Sequence, residues 1–425
     1  MTAEPSSRTP SLVGGGTALA VAMIVANAGN YVLNLFLGRV LTPAEFSDAN
    51  LMVTLMLTIT SIALCLQLVA ARFVGIYDES GDPARSDRLA RTLRGYALGA
   101  GILTGAILAG GSTLWSQVFH TASFWPFVIL GAGMPFYLVQ SVGRGVMQGR
   151  LRFPGLATSF VVEMVVRLGC GVALVALGFG VNGATIGLTA SFVATWLAVK
   201  LLARTGPGLT GTAPDLVTVR SYAALVSVLL IGQIIANNSD VLVAKAFFSP
   251  DAAGIYAAIA LVGRAVFFLA WSVATVVFPV VARRHASGGD TGSLLTGGIA
   301  AVAGIGAACT LGALVLGGPV LGFILGPAYG DLSAPLAAYA GMTTLFAVAN
   351  LVASHELSQG RNTQSWLLFG ASVVQLVLLL VWHESTAQLI IVQFVAMVLL
   401  LGVMAARHLL TRSSPHIPTE EGLPR

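Results

Sequence analysis

Charge is scarce in this chain. Only 9% of its 425 residues are Asp, Glu, Lys or Arg, while 56% are hydrophobic. A soluble domain carries roughly a quarter charged residues, so the surface that meets solvent must itself be apolar, and that solvent is lipid. Cysteine is scarce too. Cys65, Cys170 and Cys309 lie far apart in apolar runs with no CxxC or Cys/His spacing, which excludes a disulfide framework and a metal site built on them and leaves them as small buried packing residues. The net charge of +5 sits in short loops, and no basic run is interleaved with aromatics, so nucleic acid is not an expected partner. Gly14-Gly15-Gly16 has no P-loop lysine after it and no strand before it, and no nucleotide cofactor is expected. The first apolar segment lacks the marks of a cleavable signal. Only Arg8 precedes it, Asn27, Asn30 and Asn34 interrupt it, and no A-x-A site follows, so it reads as a retained helix.

What is present is a succession of apolar runs. Roughly 20 residues cross about 30 Å of hydrocarbon. That length predicts an all-α polytopic membrane protein with spans near 17–38, 46–71, 94–113, 124–147, 156–178, 182–204, 221–244, 253–281, 294–317, 335–358, 363–382 and 386–408. The stretch 318–330 holds Gly326-Pro327 and reads as an outer loop or a helix extension. Basic residues set the orientation. With the N-terminus inside, Arg39 and Lys245 fall outside, Arg167 and Arg264 lie within spans, and the remaining 18 of the 22 Lys and Arg are cytoplasmic. Both termini are therefore expected in the cytoplasm, with the chain in the inner membrane. Arg72, Arg144, Arg150, Arg283 and Arg361 then read as orientation signals and headgroup anchors at cytoplasmic helix ends. Glu45, Asp48, Asp251, Asp331 and Glu384 are the acids at or near the outer side. No outer loop is long enough to fold as a domain, which counts against a membrane glycosyltransferase or ligase.

The two halves repeat. Thr42-Pro43 follows the first span and Ser249-Pro250 the seventh, 207 positions on; Arg72 and Arg283 end the second and eighth spans, 211 apart; Gln148-Gly149-Arg150 and Gln359-Gly360-Arg361 end the fourth and tenth, also 211 apart. Six spans per copy is an even number, so the copies are parallel, related by an axis along the membrane normal. The predicted organisation is a tail at 1–16, a lobe at 17–205, a Gly- and Pro-containing linker at 206–220, a second lobe at 221–412 and a tail at 413–425, with a central cavity between the lobes. Gly95–Gly99 and Gly101–Gly105 are small-xxx-small pairs suited to close helix approach.

The run NYVLNLFLGRVLTPAEF, Asn30 to Phe46, resembles the first helix and following loop of polysaccharide flippases of the Wzx type. LGPAYGDLSAPL, Leu325 to Leu336, is similar to the Gly-x-x-Tyr segment before their tenth helix, and the two QGR turns fit. Phe46-Ser47 departs from the glycine expected after the first turn, which Gly254 supplies in the second copy. The chain lacks the fourteen-helix length of lipid II flippases and the acidic cation site of drug extruders in the same superfamily. The resemblance implies flipping of an undecaprenyl-diphosphate-linked oligosaccharide to the outer leaflet, with a lipid-linked glycan as substrate and the glycosyltransferases and polymerase of the same pathway as partners.

Ionisable residues within spans are costly and are functional candidates by default. Arg264 lies near mid-membrane in the eighth span with no acid three or four positions away. Asp240 sits near the outer end of the seventh span, at another depth, and is a coupling candidate. An unpartnered Arg264 suits a substrate diphosphate, through the planar bidentate fork of arginine; its truncation to alanine is expected to stop transport and leave the fold intact. Arg167 has Glu163 four residues earlier, in the favourable orientation. That pair reads either as self-neutralising or as a gate. Asn30 and Asn237 are repeat mates expected to flank the cavity, where their amides suit glycan hydroxyls or interhelical packing equally. Arg39 and Lys245, near the outer mouth, are candidates to help a diphosphate leave. A lipid-linked oligosaccharide flippase is the first reading; a cation-coupled drug or metabolite exporter is the alternative, which a lone cavity acid would favour.

Overall fold

The structure, a computed structural model, describes residues 12–203, 212–267, 292–358 and 363–412. Among these no strand occurs. The first half comprises α1 (Leu12–Val40), α2 (Pro43–Glu79), α3 (Pro83–Gly110), the short α4 (Ser112–Val118), α5 (Trp125–Gly149), α6 (Phe153–Leu174) and α7 (Gly180–Leu202). The second comprises α8 (Leu216–Phe247), α9 (Pro250–Gly263), α10 (Gly292–Leu325), α11 (Ser333–Ser358), α12 (Thr363–Val381) and α13 (Thr386–Arg412). Eleven runs are long and apolar enough to cross a membrane, and one of them, Phe153–Leu202, has 50 residues. It reverses at Gly178 (φ 89°) and Gly180 (φ 51°), backbone conformations that favour glycine, so that α6 packs back along α7. The described residues therefore carry twelve spanning helices, six in each half.

Helix ends follow local chemistry. Thr42 caps α2 in a reciprocal box: its hydroxyl accepts from the Glu45 amide at 3.3 Å, and the Glu45 carboxylate accepts from the Thr42 amide at 3.0 Å. Pro43 takes the first helical position, where its missing N–H costs nothing. The second half does the same more simply: Ser249 caps α9 on the Ala252 amide, with Pro250 following.

Several elements run longer than hydropathy indicates. α2 and α3 continue past the expected ends at 71 and 94 to meet at Gly81, because the polar turn carrying Arg85, Arg88 and Arg91 is helical as well as hydrophilic. α10 continues to Leu325 through Pro319, so most of 318–330 is helix, ended by Gly326 at φ 120°. The C-terminal part of the predicted linker is already helix, with Asp215 capping α8 at Val217 and Thr218. The second part of the eighth span, the tails, 206–211 of the linker, and the repeat marks Arg283 and Gln359-Gly360-Arg361 lie outside the described residues.

Glycine spacing proves selective. A Cβ at Gly101 would sit 2.6 Å from Cα of Pro135, and one at Gly105 2.5 Å from the Gly131 carbonyl, so α3 and α5 touch backbone to backbone there. Among the described residues Gly95 and Gly99 meet nothing within 4 Å, so that pair packs no described helix. The cysteines are half-buried rather than fully buried.

The halves join through α2, which packs along α8 and α9, and through α1 against α10. α2 and α8 run antiparallel. At one end Asp48 meets Lys245; at the other Arg72 lies 4.4 Å above the Tyr222 ring. One apolar core crosses the junction, uniting Leu37, Leu41 and Phe46 with Tyr256 and Leu325.

Candidate functional site

Between the halves lies a cavity of about 460 Å³. Its wall carries Asn27, Asn30 and Asn34 from α1, spaced so as to share a face, with Asn50 and Thr54 from α2, Arg167 from α6, Asn237 from α8 and Arg264 at the end of α9. Apolar side chains such as Leu37, Met52 and Leu261 complete it, and no carboxylate is among the described lining residues. Asn30 and Asn237 thus face one space. Asn30 is not free there: its side-chain oxygen accepts from Arg167 Nη1 at 3.1 Å, and its carbonyl accepts from Asn34 Nδ2 at 2.9 Å. Tyr31 bridges the halves by donating to the Leu261 carbonyl at 3.3 Å.

Arg264 has a partner after all. Its Nη2 lies 2.8 Å from Asp240 Oδ1, its Nε donates to Tyr339 Oη at 3.1 Å and its Nη1 to Asn238 Oδ1 at 3.4 Å. The other Asp240 oxygen accepts from Tyr256 at 2.9 Å and Tyr339 at 2.7 Å, and Gln393 donates to Tyr256 at 3.0 Å. Arg264 is 8% exposed and Asp240 0%. Depth along each helix misleads because side chains in a helix lean toward its N-terminus. α8 ends and α9 begins at the same end of the bundle. Asp240 therefore leans away from that end and Arg264 toward it, and the long guanidinium stem closes the gap.

The Glu163–Arg167 pair is part of a triad. Arg144 Nη2 lies 2.7 Å from Glu163 Oε2, while Arg167 Nη2 binds the other carboxylate oxygen. Arg167 also donates to Ser191 Oγ at 3.3 Å, and Arg144 grips Ser159 twice at 3.0 Å and lies 4.1 Å above the Phe160 ring. Arg144 is thus a buried member of the site rather than a headgroup anchor. The two other described arginines of that group also have protein partners: Arg72 stacks on Tyr222, and Arg150 bridges Asp78 and Asp87 at 2.8 and 2.9 Å.

Lys245 and Arg39 do not line the cavity. Lys245 is 2% exposed and locked to Asp48 Oδ1 at 2.5 Å and Ser47 Oγ at 2.7 Å, across the junction of the halves; Asp48 also accepts from the Ala122 amide at 3.0 Å. Beside this pair a Cβ on Gly254 would fall 2.0 Å from the Pro43 carbonyl, so the second copy needs its glycine where the helix caps of the two halves meet. Arg39 stays exposed at the end of α1, next to Gly326.

A profile of the polysaccharide biosynthesis protein family matches residues 36–334. The chain belongs to that family. Comparison with curated proteins finds no match. Among solved structures, the fold is similar to an inward-facing multidrug resistance MATE family transporter of the MOP superfamily (TM-score 0.76, 16% identity, covering 94% of this chain and 100% of that one). It is also similar to the lipid II flippase MurJ in an inward closed conformation (0.69, 12%, 92% and 87%) and to a MOP superfamily transporter from Pyrococcus furiosus (0.65, 16%, 97% and 100%). This member of the polysaccharide biosynthesis family is a multi-pass membrane protein with the fold of those transporters. Arg144, Tyr256 and Tyr339 join the candidate residues only in three dimensions. One signal was available: Tyr137, Gln140, Ser141, Arg144 and Gln148 form a polar stripe at helical spacing on an otherwise apolar α5.

Proposed function

We propose that this protein carries a polyprenyl-diphosphate-linked oligosaccharide from the cytoplasmic to the outer leaflet of the inner membrane, for cell-surface polysaccharide synthesis. The carrying observation is the cavity between the halves. It offers amides for hydroxyls and two arginine heads, with no carboxylate on its described wall. A polar head cannot cross about 30 Å of hydrocarbon unaided; these groups replace part of its hydration while the prenyl tail stays in lipid. The same lining disfavours a cationic drug, which would need an acid facing it. Membership in the polysaccharide biosynthesis family points the same way.

Transport by alternating access requires the halves to part at one end and meet at the other. With both termini cytoplasmic, the end sealed by Asp48–Lys245, Gly254 against Pro43 and the apolar core around Phe46 is the outer one. The structure then corresponds to a state closed to the outside. The glycosyltransferases and polymerase of the same pathway would make and consume the cargo. Deleting the gene is expected to leave lipid-linked glycan on the cytoplasmic leaflet, out of reach of an externally added lectin. Wild-type outer-leaflet labelling in a strain with no second flippase would refute the proposal, and new sensitivity to cationic dyes with unchanged glycan export would favour a drug exporter.

A further inference from the structure

A second cavity, about 290 Å³, lies within the first six helices and shares Asn27, Asn30 and Arg167 with the central one. Packing does not account for two of its features. The first is charge. Arg144 and Arg167 divide a single carboxylate, Glu163, between them, and all three line the recess. The other titratable group facing it is Tyr137, a neutral phenol 2.6 Å from the Thr60 hydroxyl. One positive charge is therefore uncompensated in a largely apolar surround, where unpaired charge is costly. Arg144 spends Nε and Nη2 on Ser159 and Glu163, and its Nη1 makes no hydrogen bond among the described residues.

The second feature is Gln140, four residues before Arg144 on α5. It is 1% exposed and lines the recess, yet neither its Nε2 nor its Oε1 has a hydrogen-bond partner among the described residues. Neighbouring polar groups are already committed: Gln67 donates to Gln148 at 3.0 Å and Ser141 to the Leu138 carbonyl at 2.7 Å. A buried amide with an unmet donor and an unmet acceptor is rare and calls for a missing partner.

Both deficits have one remedy. We infer that this recess binds a phosphate-type oxyanion, held by Arg144, Arg167 and the Gln140 amide. A phosphate oxygen accepts from Nε2 and from the guanidinium groups, and a protonated phosphate oxygen donates to Oε1. Chloride meets the charge but leaves Oε1 bare, so the site selects oxyanions. The oxyanion has two sources: the phosphate of a prenyl-linked cargo, which rests on the proposed function, or free inorganic phosphate, which does not.

The test uses the purified full-length protein in detergent, with inorganic phosphate, sodium chloride at matched ionic strength and farnesyl diphosphate as probes, read by melting temperature and by binding of labelled phosphate. Phosphate or farnesyl diphosphate is expected to raise the melting temperature, and chloride is not. Gln140→Leu removes an amide that has no partner; it is expected to keep or raise the melting temperature of the unliganded protein and to weaken binding at least about tenfold, since the lost hydrogen bonds are to a charged ligand. Arg144→Gln leaves Glu163 and Arg167 balanced and is expected to weaken binding by a similar factor. Glu163→Gln, with two unopposed arginines, is expected to tighten it and to lower the unliganded melting temperature. Binding of phosphate alone assigns the free anion, and farnesyl diphosphate alone or in competition with phosphate assigns the cargo. No binding of either, wild-type affinity in Gln140→Leu or in Arg144→Gln, or weaker binding in Glu163→Gln would overturn the inference. None of these readouts requires glycan transport, so a failed flipping assay leaves this result standing.

Discussion

Asp240→Asn swaps a carboxylate for an amide of the same shape at a position with 0% exposure. The carboxylate accepts from Arg264 at 2.8 Å, Tyr256 at 2.9 Å and Tyr339 at 2.7 Å. The amide retains one acceptor oxygen and turns an N–H₂ toward donors. Arg264, 8% exposed, is left without countercharge in its described surroundings. Breaking one partner of a buried pair costs about 3–5 kcal/mol, a roughly hundred- to several-thousand-fold shift toward the unfolded state. Arg264→Ala strands Asp240 instead and is expected to cost a similar amount, contrary to the sequence-based expectation of an intact fold. The double variant Asp240→Asn/Arg264→Gln removes both charges and is expected to recover most of the loss, with a coupling of about 2 kcal/mol or more. Denaturant unfolding of the four proteins in one detergent, followed by circular dichroism, measures the cycle. A single variant as stable as wild type, or a double variant that merely sums two penalties, would refute the reasoning.

The remaining predictions concern the closed end, the helix caps and the topology. Asp48→Asn and Lys245→Gln each leave one buried charge unpaired and are each expected to destabilise by about 3–5 kcal/mol, the double variant by less; unfolding titrations check this. Gly254→Ala drives a methyl into the Pro43 carbonyl and is expected to part the halves there, read as a lowered melting temperature. The Asp82 and Asp215 carboxyls are held below the usual carboxylate range, chiefly by hydrogen bonds from Thr212 and Thr218. A depressed folded pKa contributes stability at neutral pH that is lost as pH falls through the folded value, so amide protection at the starts of α3 and α8 is expected to persist to below about pH 4. Reporter fusions after residues 45, 85, 120, 150, 250 and 412 are expected to show 85, 150 and 412 inside; outer-side activity at any of these three overturns the orientation.

Helix number was legible because each span is a long apolar run and the α6–α7 reversal is marked by Gly178 and Gly180. The ends of α2 and α3 at their shared turn were not, since hydropathy reports the hydrocarbon boundary and not where a helix stops. Asn30 and Asn237 were placed on one cavity by the repeat alone. The partners of Arg264, and those of Arg167 other than Glu163, required three dimensions. Glu163 was found at helical spacing, but Arg144 comes from another helix, and its position five residues from the end of α5 resembles an anchor. Lys245 looked like an exposed outer charge because nothing in one dimension shows that α2 brings Asp48 against it.

The most direct test of transport uses the purified protein in liposomes carrying a prenyl-diphosphate-linked oligosaccharide in both leaflets, with a glycosidase added outside. Protein-free liposomes protect the inner-leaflet half. With the protein present, cleavage is expected to run past half toward completion. Cleavage that stops at half in the presence of folded protein would contradict the account.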